Sequence, residues 1–180
     1  KCKYPTILPI IGYNFLNLES EPYPTIVTKF MPNGSLKDLL NKILKKKIPV
    51  GWTETSQYIV LLGIAFGMKY IHSKNITHLD IKPSNILLDE NFYPNICDFG
   101  FSEENEHLSD EKMILYKQLG TPKYMAPEIR ERKFYNNKVD VYSFSIMMEE
   151  ILTNLNINDN INILQIQSDE NQEFFSKGIS

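Results

Sequence analysis

The stretch ITHLDIKPSNILLD, residues 76–89, sets three different polar functions among apolar neighbours. Asp80 is an acid, Lys82 a base and Asn85 an amide, and all three lie within six residues. Ile76, Leu79 and Ile81 stand before or between them, and Ile86, Leu87 and Leu88 follow. A surface loop would be polar throughout, and a buried strand would exclude unpaired ions. The pattern calls for a chemistry that uses all three groups beside a core.

A second acid supplies the rest. NILLD (85–89) and PNICDF (94–99) read as two short strands in a hairpin across ENFY, which sets Asp98, the start of DFG, beside Asn85. A carboxylate and an amide oxygen at neighbouring strand ends form a hard-oxygen pair suited to Mg²⁺. Asp80 is then left free to accept a proton from an incoming hydroxyl. Lys82 brings positive charge to the place where a transferring phosphoryl group develops negative charge. Read this way, the stretch serves phosphoryl transfer.

Outward from it, PTILPIIGYN (5–14) and PTIVTKFM (24–31) are rich in β-favouring residues and bounded by prolines, so an antiparallel pair is expected. Pro32, Asn33 and Gly34 make a turn. Ser35 is a good helix N-cap, Asp38 completes a capping box, and Leu36, Leu39, Leu40 and Ile43 form an apolar stripe. A long helix is expected from Glu54 to His72, capped by Thr53 and apolar almost all round, as in the centre of a helical core. Gly63 and Gly67 read as helix-packing glycines, since no strand precedes them as in a phosphate loop. SEENEHLSDEK (102–112) has no periodicity and reads as a mobile loop, whereas KVDVYSFSIMMEEILT (138–153) returns to a helical pattern. Beyond Asn154 only Ile157, Ile161 and Leu164 suggest a helical stripe.

The 180 residues carry a net charge of −3, so nucleic acid is not an expected partner. Lys42, Lys45, Lys46 and Lys47 fit a solvated helix end. Cys2 and Cys97 are too few for a disulfide framework, and His72, His78 and His107 form no metal motif, so a reducing, intracellular (cytoplasmic) setting is expected. Lys1 to Pro9 lacks the apolar segment of a signal peptide, and YIVLLGIAFGM (58–68) is too short to span a bilayer, so no membrane contact is expected in this segment.

HLDIKPSN, DFG and GTPKYMAPE, in this order, resemble the catalytic loop, magnesium loop and activation-segment end of eukaryotic protein kinases. IVTKFMPNGSL upstream is similar to the family's hinge, and DVYSFS with MPNGSL resembles the tyrosine-kinase-like group of serine/threonine kinases. DIKPSN goes with serine/threonine specificity, because tyrosine kinases usually place alanine and arginine where Lys82 sits. The resemblance covers about Tyr4 to Thr153. It implies an α+β, protein-kinase-like fold, with a mainly helical large lobe and a remnant of the small-lobe β-sheet. Residues 1–31 would be the small-lobe remnant and hinge, and 32–180 the large lobe, incomplete at its C-terminal end. ATP, Mg²⁺ and a protein substrate with a serine or threonine hydroxyl are the implied ligands.

By the same resemblance Asp80 is the base, Lys82 the γ-phosphate contact, and Asn85 and Asp98 the metal ligands. Thr121 bridges Asp80 and Lys82. Thr28 matches the gatekeeper, the Lys29 carbonyl and Met31 amide face adenine, and Leu87 presses on the adenine ring. His78 and Phe99 match the hydrophobic spine, with Asp140 anchoring His78. Glu128 matches a glutamate that pairs with a later arginine, and no arginine follows Arg132.

The departures are specific. No glycine-rich loop and no VAIK-like lysine occur before the hinge, Leu79 stands where the family's catalytic-loop arginine would, and Ser145 replaces the glycine of DVYSFG. The isolated segment is therefore expected to be a weak catalyst. The competing reading is a pseudokinase or degenerate kinase fragment that acts as a binding module. A small-molecule kinase is disfavoured by GTPKYMAPE, which shapes a peptide platform. Ser102, Ser109 and Tyr116 carry ordinary hydroxyls in the loop.

Overall fold

The structure, a computed structural model, describes residues 4–17, 19, 21–104 and 120–153. Strands β1 (Ile10–Asn14) and β2 (Thr25–Thr28) pair antiparallel, with a bulge between Ile10 and Gly12. Helix α1 (Leu36–Leu44) starts at Ser35, whose hydroxyl accepts from Asp38 N–H at 3.1 Å while Asp38 answers the Ser35 hydroxyl at 2.6 Å. Helix α2 (Glu54–His72) starts at Thr53 with a capping box closed by Ser56. After α2 come β3 (Ile76–Thr77), a 3-10 turn (Pro83–Asn85), β4 (Ile86–Leu88), β5 (Pro94–Ile96) and β6 (Glu103–Glu104). Helix α3 (Pro127–Arg130) and helix α4, over 138–153, follow.

One core joins these elements. Leu36, Leu39, Leu40 and Ile43 from α1 meet Val60, Ile64, Met68 and Ile71 from α2, with Ile86, Leu88 and Ile96 from the β4–β5 hairpin and Met147 and Ile151 from α4. Gly63 and Gly67 let α2 lie close to β5. A Cβ at Gly63 would stand 2.5 Å from Pro94 Cγ, and one at Gly67 2.7 Å from Ile96 Cδ1. They are packing glycines, as their lack of a preceding strand suggested.

Two expectations change. Helix α2 is not enclosed on all sides, because Tyr58, Leu62 and Phe66, spaced four apart, form one exposed face among the described residues. The stretch 102–112 is not all loop: Glu103 and Glu104 pair with Thr77 and Ile76. Residues 105–119 lie outside the described residues, as do Ser109, Tyr116 and the stripe of Ile157, Ile161 and Leu164. Cys97 is half-buried, and its thiol donates to the Asn85 carbonyl at 3.3 Å.

The lysine cluster is solvated at the end of α1, as expected. No helix among the described residues is long and apolar enough to cross a membrane. Both faces of the β1–β2 pair carry exposed apolar side chains, with Ile10, Ile11, Ile26 and Val27 all at least half exposed.

Candidate active site

The β4–β5 hairpin positions the site. Ile86 pairs with Ile96, and Cys97 N–H donates to the Asn85 carbonyl at 2.9 Å, so Asn85 and Asp98 emerge at the same end of the hairpin. Asp98 is exposed and has φ of 63°. Non-glycine residues rarely adopt this left-handed conformation, and it clusters at functional sites.

Asp80, 4% exposed, sits at the centre. Its Oδ1 accepts from Thr121 N–H and from the Thr121 hydroxyl, each at 3.1 Å. Its Oδ2 accepts from Asn85 Nδ2 at 2.9 Å and lies 2.6 Å from Lys82 Nζ. Lys82 Nζ also donates to Thr121 Oγ1 at 2.8 Å, closing a ring of three side chains, Asp80, Thr121 and Lys82, to which Asn85 is joined through Asp80.

This ring corrects the expectation that Asp80 is left free. A carboxylate offers about four acceptor positions, and Asp80 spends them on Thr121, Asn85 and Lys82. Oδ2 is held by Lys82 Nζ and Asn85 Nδ2 together. Burial drives the occupancy, because an unpaired carboxylate there would be costly.

The main chain beneath the ring is held from α4. Asp140 Oδ2 accepts His78 N–H at 2.8 Å and Oδ1 accepts Leu79 N–H at 2.9 Å. Asp140 therefore anchors the His78 backbone, not its ring. The ring instead spans two loops, with Nε2 3.1 Å from the Cys97 carbonyl and Nδ1 accepting Asp80 N–H at 3.3 Å. These partners require the neutral Nε2–H tautomer. Burial pushes the His78 pKa below its ordinary value, against the raising influence of Asp140. Phe99 packs on His78 with ring centroids 4.8 Å apart, which joins DFG to the catalytic-loop residues. Burial, followed by Asp98, raises the Cys97 thiol to about 11, so it remains protonated.

The expected adenine-facing residues lie along 28–35 and β4. Leu88 N–H donates to the Gly34 carbonyl at 2.9 Å and Asn33 N–H to the Leu88 carbonyl at 3.3 Å, which zips this segment to β4 and brings Leu87 beside Ser35. Met31 is buried, Thr28 and Leu87 are half-buried, and Lys29 is exposed with its ammonium 3.9 Å from Glu90. Lys29 N–H donates to the Pro9 carbonyl at 3.0 Å, and the Met31 carbonyl accepts from Gly34 N–H at 3.1 Å.

A groove of about 840 Å³ adjoins the ring, lined by Lys37, Ser84, Thr121, Tyr124 and Glu149 among others. Tyr124 Oη donates to Glu150 at 2.8 Å, and Lys123 pairs with the same carboxylate. Sequence reasoning missed Lys123, Tyr124 and Glu150, and also His72, whose Nε2 is 2.8 Å from Asp140 Oδ2. None has a local signal, since every partner comes from a distant element. Glu128 makes no ion pair among the described residues, and Ser145 satisfies its hydroxyl on the Tyr142 carbonyl at 2.7 Å.

Comparison with known proteins decides the family. The family model described as "Protein kinase domain" matches residues 2–177. The chain belongs to the protein kinase family. This kinase domain is 40% identical over 129 residues to the dual specificity protein kinase shkB of Dictyostelium discoideum, covering 72% of this chain and 19% of that protein. It is 38% identical over 133 residues to the serine/threonine-protein kinase STY46 of Arabidopsis thaliana, covering 73% and 21%. It is 36% identical over 156 residues to the Pelle-like serine/threonine-protein kinase pik-1 of Caenorhabditis elegans, covering 83% and 31%. The kinase domain described here thus spans less than a third of each of these relatives.

Proposed function

We propose that the protein carrying this kinase domain transfers the γ-phosphate of ATP to serine or threonine hydroxyls of a protein substrate. The single observation that carries the reading is the closed ring of Asp80, Thr121 and Lys82, with Asn85 bonded to Asp80. In this assignment Asp80 takes the hydroxyl proton, Lys82 meets the γ-phosphate, and Thr121 orients both. Thr28, Lys29, Met31 and Leu87 take the adenine, and residues 1–31 act as small-lobe remnant and hinge, with 32–180 as large lobe.

Protein kinases as a family use ATP with Mg²⁺. The residues here fit that ion. Asn85 spends its Nδ2 on the Asp80 carbonyl and carboxylate, each at 2.9 Å, which leaves Oδ1 as a hard-oxygen donor. The Asp98 carboxylate is the second such donor. Bound there, Mg²⁺ would neutralise charge on the phosphates. The groove lined by Lys37, Ser84 and Tyr124 suits the polypeptide around the acceptor hydroxyl. An intracellular setting goes with this reading, since ATP is the donor and Cys97 is a free thiol.

A competing reading is a binding module without catalysis. One assay separates the two. Full-length protein is incubated with magnesium ATP and serine- and threonine-containing peptides, and the products are analysed by mass spectrometry. Phosphoserine or phosphothreonine is expected at about 1–100 turnovers per second. Nucleotide binding with no phosphopeptide would favour the binding module. The 180-residue chain alone should turn over far more slowly.

A further inference from the structure

Leu79 precedes the proposed base and has φ of 66°, a left-handed conformation that a leucine adopts only when its surroundings impose it. Three sides of the restraint are visible. Asp140 holds its N–H, a Cβ on Gly120 would lie 2.7 Å from its carbonyl, and its side chain is buried with Met125, Ala126, Ile129, Tyr135 and Val139. Tyr135, 4% exposed, also reaches out of this cluster through its side chain. Its hydroxyl donates to Glu103 at 2.5 Å.

Glu103 belongs to β6 and pairs with Thr77, two residues before Leu79. Its neighbour Ser102 donates to the His78 carbonyl at 3.3 Å. The tyrosine ring therefore supports Leu79 through the apolar cluster, while its hydroxyl holds the strand that flanks residues 76–78. A core tyrosine needs only some acceptor for its hydroxyl. This one takes a carboxylate, and a charge-assisted bond is about twice as strong as a neutral one. Burial, then the Glu103 bond, keep the phenol protonated and able to donate.

We propose that Tyr135 and Glu103 form a positioning pair that braces the catalytic loop at Leu79 and Asp80 against the first strand of the activation segment. This rests on the kinase reading for its consequence, but the brace itself is measurable without turnover.

The test is hydrogen exchange on the full-length protein, with kinetics in parallel. Tyr135→Phe keeps the ring and removes the donor. Exchange at the amides of His78, Leu79, Asp80 and Thr121 should accelerate about tenfold, the scale of one lost charge-assisted hydrogen bond. Amides of α2 should be unchanged, and kcat should fall while KM for ATP holds. Glu103→Gln keeps an acceptor but loses the charge, and should fall between wild type and Tyr135→Phe. Glu103→Leu should match Tyr135→Phe, and the double variant should lose no more than either alone. Wild-type exchange at the four amides in Tyr135→Phe, or equal acceleration across α2, would overturn the proposal. If no variant or wild type turns over peptide, the kinase reading fails while the exchange result still decides the brace.

Discussion

Thr121 grips Asp80 twice, through its main-chain N–H and its hydroxyl, both at 3.1 Å from the same carboxylate oxygen. The hydroxyl also receives Lys82 at 2.8 Å, so one threonine orients both charged groups. Thr121→Ala in active full-length protein should therefore lower kcat about tenfold, near 1.4 kcal/mol of barrier. Thr121→Ser should recover most of it. Equal loss in both variants would show that the methyl group matters and the hydroxyl does not.

His78 predicts a pH dependence of stability. Its folded pKa lies below the ordinary histidine value of about 6.5 because burial disfavours the cation. The unfolded chain then binds a proton more readily, so stability is full above about pH 6.5 and is lost as pH falls toward the folded pKa. His78→Phe keeps an aromatic ring but cannot titrate. Melting temperature against pH should slope less for this variant than for wild type between about pH 7.5 and 5. Parallel profiles would assign the acid sensitivity to other groups.

Gly63→Ala should destabilise, although alanine is normally the better helix residue by about 1 kcal/mol. The added methyl would meet the Pro94 ring at 2.5 Å and 3.0 Å, and a proline ring in a strand has little room to yield. A net loss of about 1–2 kcal/mol is expected from overpacking. Denaturant titration showing a gain would mean that α2 and β5 can separate at small cost.

Leu79 bears on regulation. In kinases with arginine at this position, a phosphorylated activation loop supplies the anion that faces it. Here the side chain is leucine, 8% exposed in an apolar cluster, and Glu103 is the charged group held nearby by Tyr135. Ser102 already donates to the His78 carbonyl. Active full-length protein should keep its rate after phosphatase treatment that leaves Ser102, Ser109 and Tyr116 bare by mass spectrometry. A loss of about tenfold or more would show that another basic residue does the arginine's work.

What the sequence made legible was local. Ser35 with Asp38 and Thr53 with its helix are caps whose partners lie three residues away, and both helices start where those residues stand. The β4–β5 hairpin was readable from two short apolar runs, NILLD and PNICDF, around ENFY. Asp80, Lys82 and Asn85 share one loop, so their proximity was nearly a matter of chain connectivity. Glu103–Glu104 was not readable as strand, because acidic residues have low β-propensity and pairing with Ile76–Thr77 overrides it. His72 with Asp140 and Tyr135 with Glu103 are separated by 68 and 32 residues, and nothing local marks either pair. The full occupancy of the Asp80 carboxylate was also hidden, since spacing tells which groups meet but not how many lone pairs they use.

Asp80 and Asp98 have separate tasks in the proposed reaction, and paired measurement of turnover and nucleotide affinity tests this most directly. In full-length protein, Asp80→Asn should cut phosphoryl transfer about 10²–10⁴-fold with magnesium-dependent ATP affinity unchanged, because an amide cannot take the hydroxyl proton. Asp98→Asn should instead weaken magnesium-dependent ATP binding. Two variants alike in both turnover and affinity, or Asp80→Asn retaining wild-type turnover, would contradict it.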